Sequence, residues 1–68
     1  MITRRAIGQA FARGIAYPDQ IITAIRSGKQ IRVGKQHVKF ISKDGIICVA
    51  FTTRDQIVVL TVERGNPL

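Results

Sequence analysis

The chain changes its hydrophobic period once, at Gly28, and that change limits what it can fold into. Before Gly28, apolar residues recur three and four positions apart, as on one face of a helix. After it they alternate at every second position or run together, as in half-buried and buried strands. Helices first and strands afterwards make an α+β chain, with the helices gathered on one side of an antiparallel sheet.

Local signals place the elements. Thr3 is suited to cap a helix that starts at Arg4, and Gly14 to stop it. Ile7, Ala10 and Phe11 form a narrow apolar face, with Arg5, Gln9 and Arg13 on the other side. After a short link at 15–17, Pro18 and Asp19 open a second helix. Ile21, Ile22 and Ile25 give its buried stripe, and Ser27-Gly28 ends it. Ile31 and Val33 then alternate with Arg32, and Val38 and Phe40 with His37 and Lys39. Segments 46–52 and 57–62 are rich in β-branched residues and nearly continuous. The fold expected is one or two N-terminal helices packed on a four-stranded, mainly antiparallel sheet, in a single domain spanning residues 1–68. The last three strands form a meander.

Turn chemistry predicts a register. Asp44-Gly45 reads as a two-residue hairpin turn, which pairs Lys43 with Ile46, Phe40 with Val49 and Val38 with Phe51. A four-residue turn at 53–56 pairs Thr52 with Ile57, Phe51 with Val58 and Val49 with Leu60. Both turns assign Val38, Phe40, Ser42, Ile47, Val49, Phe51, Val58, Leu60 and Val62 to one face, which is to receive the helices. The opposite face then carries His37, Lys39, Ile41, Ile46, Cys48, Ala50, Thr52, Ile57, Val59, Thr61 and Glu63. A tight turn at Gly34-Lys35 would pair Arg32 with His37 and bring it to this same face.

Charge is distributed unevenly. Arg4, Arg5, Arg13, Arg26, Lys29, Arg32, Lys35, Lys39 and Lys43 against Asp19 give +8 for residues 1–43. Arg54 and Arg64 against Asp44, Asp55 and Glu63 give −1 for the rest. A basic face on a small scaffold favours a polyanionic partner, most often nucleic acid. The competing explanation is solubility alone.

Size and cysteine usage narrow the remaining classes. A chain of 68 residues buries only about 60% of its unfolded surface, and dimerisation to a homodimer is one way to bury more. Cys48 is the only cysteine, so no internal disulfide forms, which fits a reduced, cytoplasmic setting. A structural zinc site needs four ligands, and His37 and Cys48 are the only residues of their kinds. No metal or cofactor is expected. Residues 1–17 lack the apolar stretch of a signal peptide, and nothing approaches a membrane span.

Phosphate-binding loops, dinucleotide fingerprints and helix-turn-helix signatures are absent from the sequence. Ser27 and Ser42 have no base and acid to form a triad, and four scattered acids do not suggest a carboxylate pair. One histidine among cations remains. His37 suits proton transfer to or from a ribose 2′-hydroxyl or the leaving oxygen. Arg32 and Lys39 suit charge stabilisation at a pentavalent phosphate, and Thr52 or Thr61 a bond to a phosphate oxygen. Arg5, Arg13 and Lys35 suit contacts to the nucleic-acid backbone. A bland reading stands beside this one, with His37 an exposed strand residue in a face that only binds phosphate.

The opening Ile2-Thr3-Arg4-Arg5-Ala6, followed by Arg13-Gly14-Ile15, resembles an uncharacterised bacterial family of small α-then-β domains. Its members often open with I-T-x-H-A, then R-G-I, an acidic-capped helix and a sheet. The similarity spans most of residues 2–64. That family looks like a relative of the RelE/ParE-like toxins and of the barnase–EndoU–colicin–RelE group of RNases. The resemblance implies a metal-independent endoribonuclease, often a toxin held by an antitoxin or immunity protein. Arg5 stands where the family phrase often has histidine, so any function of that histidine would be missing here. A toxin-like RNA-binding domain is therefore the first expectation. The alternatives are a non-catalytic nucleic-acid-binding or regulatory module, and a protein-interaction domain using Ile41, Ile46, Ile57 and Val59.

Overall fold

Thr3 opens the first helix as its sequence suggests. It sits at the N-cap in an extended conformation, and its hydroxyl accepts from the Ala6 amide at 3.2 Å. In the computed structural model, which describes residues 1–65, α1 runs Arg4–Ala12 and buries Ala6 and Ala10. These small side chains, four residues apart, define the inward face and let the helix lie close to the sheet. Two expectations change as a result. Gln9 turns inward, where its Oε1 accepts from the Val62 amide at 2.8 Å. Phe11 turns outward, 70% exposed, with its ring centroid 6.2 Å from that of Tyr17. Gly14 leaves the helix with φ 66°, in the left-handed region that glycine tolerates.

α2 spans Asp19–Ser27 and follows a cis Tyr17–Pro18 bond. Ile21 and Ala24 are fully buried, Ile25 is half-buried, and Ile22 is exposed. Ala24 thus takes the inward place expected of Ile22. At Gly28 a Cβ would lie 2.9 Å from the Ile41 carbonyl oxygen, so α2 can end this close to the sheet only on glycine.

The strands are β1 (Lys29–Arg32), β2 (His37–Ile41), β3 (Ile46–Thr52) and β4 (Ile57–Arg64). They form one antiparallel sheet in chain order. α1 packs on β4, and α2 packs on β3 and β2. The N-terminal residues add a short parallel rung to the outer edge of β4. There Ile2 bridges Val59, and Thr3 N donates to Val59 O at 3.1 Å. The strand β1 forms the other edge, and all four of its residues are exposed.

The register differs from the expected one by a single residue at the β2–β3 hairpin. Phe40 pairs with Cys48, Val38 with Ala50, and His37 with Phe51. The loop is Lys43-Asp44-Gly45, three residues rather than two. Ser42 N donates to Ile46 O at 2.9 Å, and Gly45 takes φ 84° at the third loop position. A three-residue hairpin needs its left-handed residue there, and Gly45 supplies it. Ser42 locks the closure, because its buried Oγ accepts from the Ile46 amide at 3.0 Å.

A one-residue slip exchanges the faces of a strand. Ile46, Cys48 and Ala50 therefore face the helices, while Ile47, Val49 and Phe51 face away. On β4 the expected pairs Thr52 with Ile57 and Phe51 with Val58 are present. The expected pairing of Val49 with Leu60 is replaced by Val49 with Thr61, because a bulge at Leu60 inserts one residue. Val59 and Val62 consequently enter the core, whereas Val58 and Leu60 do not. The core comprises these β3 and β4 residues with Val38 and Phe40, closed by Ala6, Ala10, Ile15, Ile21 and Ala24. No helix among the described residues is long and apolar enough to cross a membrane.

Candidate nucleic-acid interface

Both helices lie on one side, so the other face of the sheet carries no layer among the described residues. Its side chains form cross-strand rows fixed by the register. One row is Lys29, Ile41, Ile47 and Glu63; the next is Ile31, Lys39, Val49 and Thr61; the third is His37, Phe51 and Val58. Aromatic and aliphatic groups occupy the middle of this face. Its cations, Lys29 and Lys39, lie on the β1 and β2 side, and Glu63 lies on β4.

His37 and Phe51 are direct cross-strand partners. Their rings meet edge to face, with centroids 5.5 Å apart and planes at 69°. His37 is exposed, and Phe51 is half-buried. The next row places Lys39 two residues along β2 on the same face, with Thr61 two strands away. Lys35 is exposed in the β1–β2 loop, and that loop passes close to the histidine: a Cβ on Gly34 would lie 3.7 Å from His37 Nδ1.

Arg32 does not join this group. The β1–β2 loop is also one residue longer than a tight Gly34-Lys35 turn, with Val33 N donating to His37 O at 3.0 Å. Arg32 therefore pairs with Val38 and shares the helix-side face. Its Nη1 donates to the Lys35 carbonyl at 2.7 Å. Thr52 is on that side too, and its amide donates to Gln36 O at 2.6 Å, tying β3 to the β1–β2 loop. Arg32 and Thr52 help line an open-sided cleft of about 520 Å³ between α2, β1, β2 and the turn at 53–56.

The helix arginines are distributed along α1. Arg5 is exposed on its first turn, and Arg13 is exposed at its C-cap. Beside Arg13, the Gly14 carbonyl accepts from Arg64 Nη2 at 3.3 Å. Arg64 pairs with Ile46, so Arg13 belongs to the end of the sheet opposite His37.

Of the apolar set expected on the open face, Ile41 is there. Ile46 and Val59 are core residues, and Ile57 pairs with Thr52 on the helix side. Phe51, Ile47, Val49 and Val58 take their places. The signal that identifies Phe51 as a surface residue is Gly45 at the third position of a hairpin loop. Cys48 is fully buried beneath the helices, and burial pushes its thiol up to about 11. The described residues contain no group of three His, Cys, Asp or Glu placed to hold a metal ion.

No family model matches the chain, and no curated protein or solved structure matches it.

Proposed function

We propose that the chain is an RNA-binding domain, toxin-like in kind, that holds single-stranded RNA on the uncovered face of its sheet. The observation that supports this best is the His37–Phe51 pair beside Lys39. Unpaired bases stack on aromatic and imidazole rings, which contributes about 1–3 kcal/mol per base. Lys29 and Lys39 lie on the β1 and β2 side of that platform, with Lys35 exposed in the adjoining loop, and all three suit contact with phosphates. The resemblance of the opening residues to a toxin-related family agrees with RNA as the polyanion.

The test is fluorescence anisotropy with a short single-stranded RNA over a range of salt. Each phosphate contact on a single strand lowers the logarithm of the binding constant by about 0.7 per decade of salt. Lys29→Ala with Lys39→Ala should flatten that slope and weaken binding to every sequence. Absence of binding at low salt would remove the proposal and leave an interaction domain as the better reading.

RNA cleavage is the finer reading, and the shared face of His37 and Lys39 favours it. In this scheme the imidazole takes the proton of a ribose 2′-hydroxyl. The oxygen attacks the adjacent phosphorus, and the bond to the 5′-oxygen of the next nucleotide breaks. That oxygen leaves with a proton from solvent, while Lys39 faces the charged phosphate. The product is a 2′,3′-cyclic phosphate, formed with no metal ion added. An antitoxin or immunity protein would be the natural partner of such a domain. His37→Ala should reduce cleavage by about 10²–10⁴-fold. Unchanged cleavage in that variant, or its loss on chelation, would overturn the mechanism and leave RNA binding standing.

A further inference from the structure

The cleft on the helix side is separate from the sheet face and has a different chemistry. Its accessible apolar surface comes from Ile25, half-buried, and Ile57, exposed, while Val38 and Phe40 lie buried behind them. Two cations, Arg32 and Arg54, lie on its lining. A cavity of about 520 Å³ falls in the range used for small molecules and cofactors.

The polar lining is held in place from below. The Arg32 guanidinium is fixed by its bond to the Lys35 carbonyl, with Nε and Nη2 left to donate elsewhere. Arg54 projects from a turn that Thr53 closes on both sides. Thr53 N donates to Gln56 O at 2.9 Å, and Thr53 Oγ1 accepts from Gln56 N at 3.2 Å. Asp55 is the single acid on the lining, against the two arginines. Two arginines on one lining with the apolar side chains of Ile25 and Ile57 fit a planar ring that carries an anion. Arginine forks match phosphate oxygens in a bidentate manner.

We infer that this cleft binds a nucleotide, with the base against Ile25 and Ile57 and the phosphate held by Arg32 and Arg54. Asp55 is available to accept from a ribose hydroxyl or an exocyclic amine. The same chemistry is offered by a free mononucleotide and by the phosphorylated end of an RNA. The inference does not depend on the sheet-face proposal, because none of the side chains it uses lies on that face.

The experiment is a titration of the full chain, followed by amide chemical shifts, with AMP, adenosine and inorganic phosphate in parallel. AMP should perturb Gln30, Val38 and residues 52–57. Adenosine and phosphate should each bind about tenfold or more weakly than AMP, since each lacks one half of the recognition. Arg54→Glu changes an exposed turn residue and should weaken AMP about tenfold or more. Arg32→Ala should do likewise, with Arg54→Glu serving as the variant that leaves the Lys35 contact intact. An oligonucleotide with a terminal phosphate that competes with AMP, when its unphosphorylated form does not, would identify the RNA end as the source. Competition by neither would identify the free nucleotide. Equal AMP affinity in Arg54→Glu, no saturable AMP binding, or shifts centred on His37 and Phe51 would each overturn the inference.

Discussion

His37 and Phe51 stand opposite each other across β2 and β3, with ring centroids 5.5 Å apart and planes at 69°. The pair places both rings on the face that no helix covers. A phenylalanine in this position contributes little to the core, and its loss should be felt in binding rather than in folding. Phe51→Ala should cost clearly less stability than Phe40→Ala, whose ring is buried and whose truncation should cost about 3–5 kcal/mol. Urea denaturation of the two variants gives the comparison. Equal losses would mean that Phe51 is packed as a core residue.

The hairpin closure gives a second prediction. Ser42 Oγ accepts from the buried Ile46 amide, so Ser42→Ala leaves that donor unpaired. The expected cost is about 1–3 kcal/mol, read as a shift in the urea midpoint. Gly45→Ala should also destabilise, because φ 84° is strained for any residue with a Cβ. Unchanged midpoints in both variants would argue for the two-residue turn and its other register.

How the sequence misleads at this hairpin is physical. Asp-Gly is the usual mark of a two-residue turn, but Lys43-Asp44-Gly45 also satisfies a three-residue loop with glycine last. Hydrophobicity does not break the tie, because residues 46–51 are apolar on both faces of the strand. Side-chain size carries the missing information. Ile46, Cys48 and Ala50 join Ala6, Ala10 and Ala24 in one core, and Cys48 and Ala50 are smaller than Val49 and Phe51 on the other face. The bulge at Leu60 has no local mark, since 57–62 contains neither glycine nor proline. By contrast, Thr3, Gly14, Asp19 and Gly28 announce the helix ends in the sequence, and the α+β architecture follows from the change of period at Gly28. The candidate site is legible in part. His37 and Lys39 share a face because they are two residues apart in one strand, whatever the register. Arg32 depends on the length of a loop that Gly34 alone does not determine.

Cys48 makes a pH prediction. Burial raises its thiol from 9.0 to about 11, so the folded chain holds the proton where the unfolded chain releases it. The unfolded state then binds fewer protons between those values, and stability falls as pH rises from about 9 to 11. Below pH 9 the thiol is neutral in both states and contributes no slope. Cys48→Ala should flatten this alkaline limb, measured as urea midpoint against pH. The native thiol should also resist a thiol-specific reagent at neutral pH and react once the chain is unfolded. Rapid labelling of the folded protein would contradict the burial of β3 beneath the helices.

The salt dependence of RNA binding should separate the cations by position. Lys39→Ala on the open face should reduce the slope, whereas Arg13→Ala, at the far end of α1, should change it little. Anisotropy titrations at several salt concentrations make the comparison. Equal reductions would mean that RNA is held by diffuse charge rather than by the sheet face.

The most direct test of the central claim is an amide and side-chain chemical-shift map of the full chain with a short single-stranded RNA at low salt. The account predicts that the largest perturbations fall on Ile31, His37, Lys39, Val49, Phe51 and Thr61. Perturbations confined to the helix side, around Phe11, Tyr17 and Ile22, would contradict it, as would the absence of any perturbation.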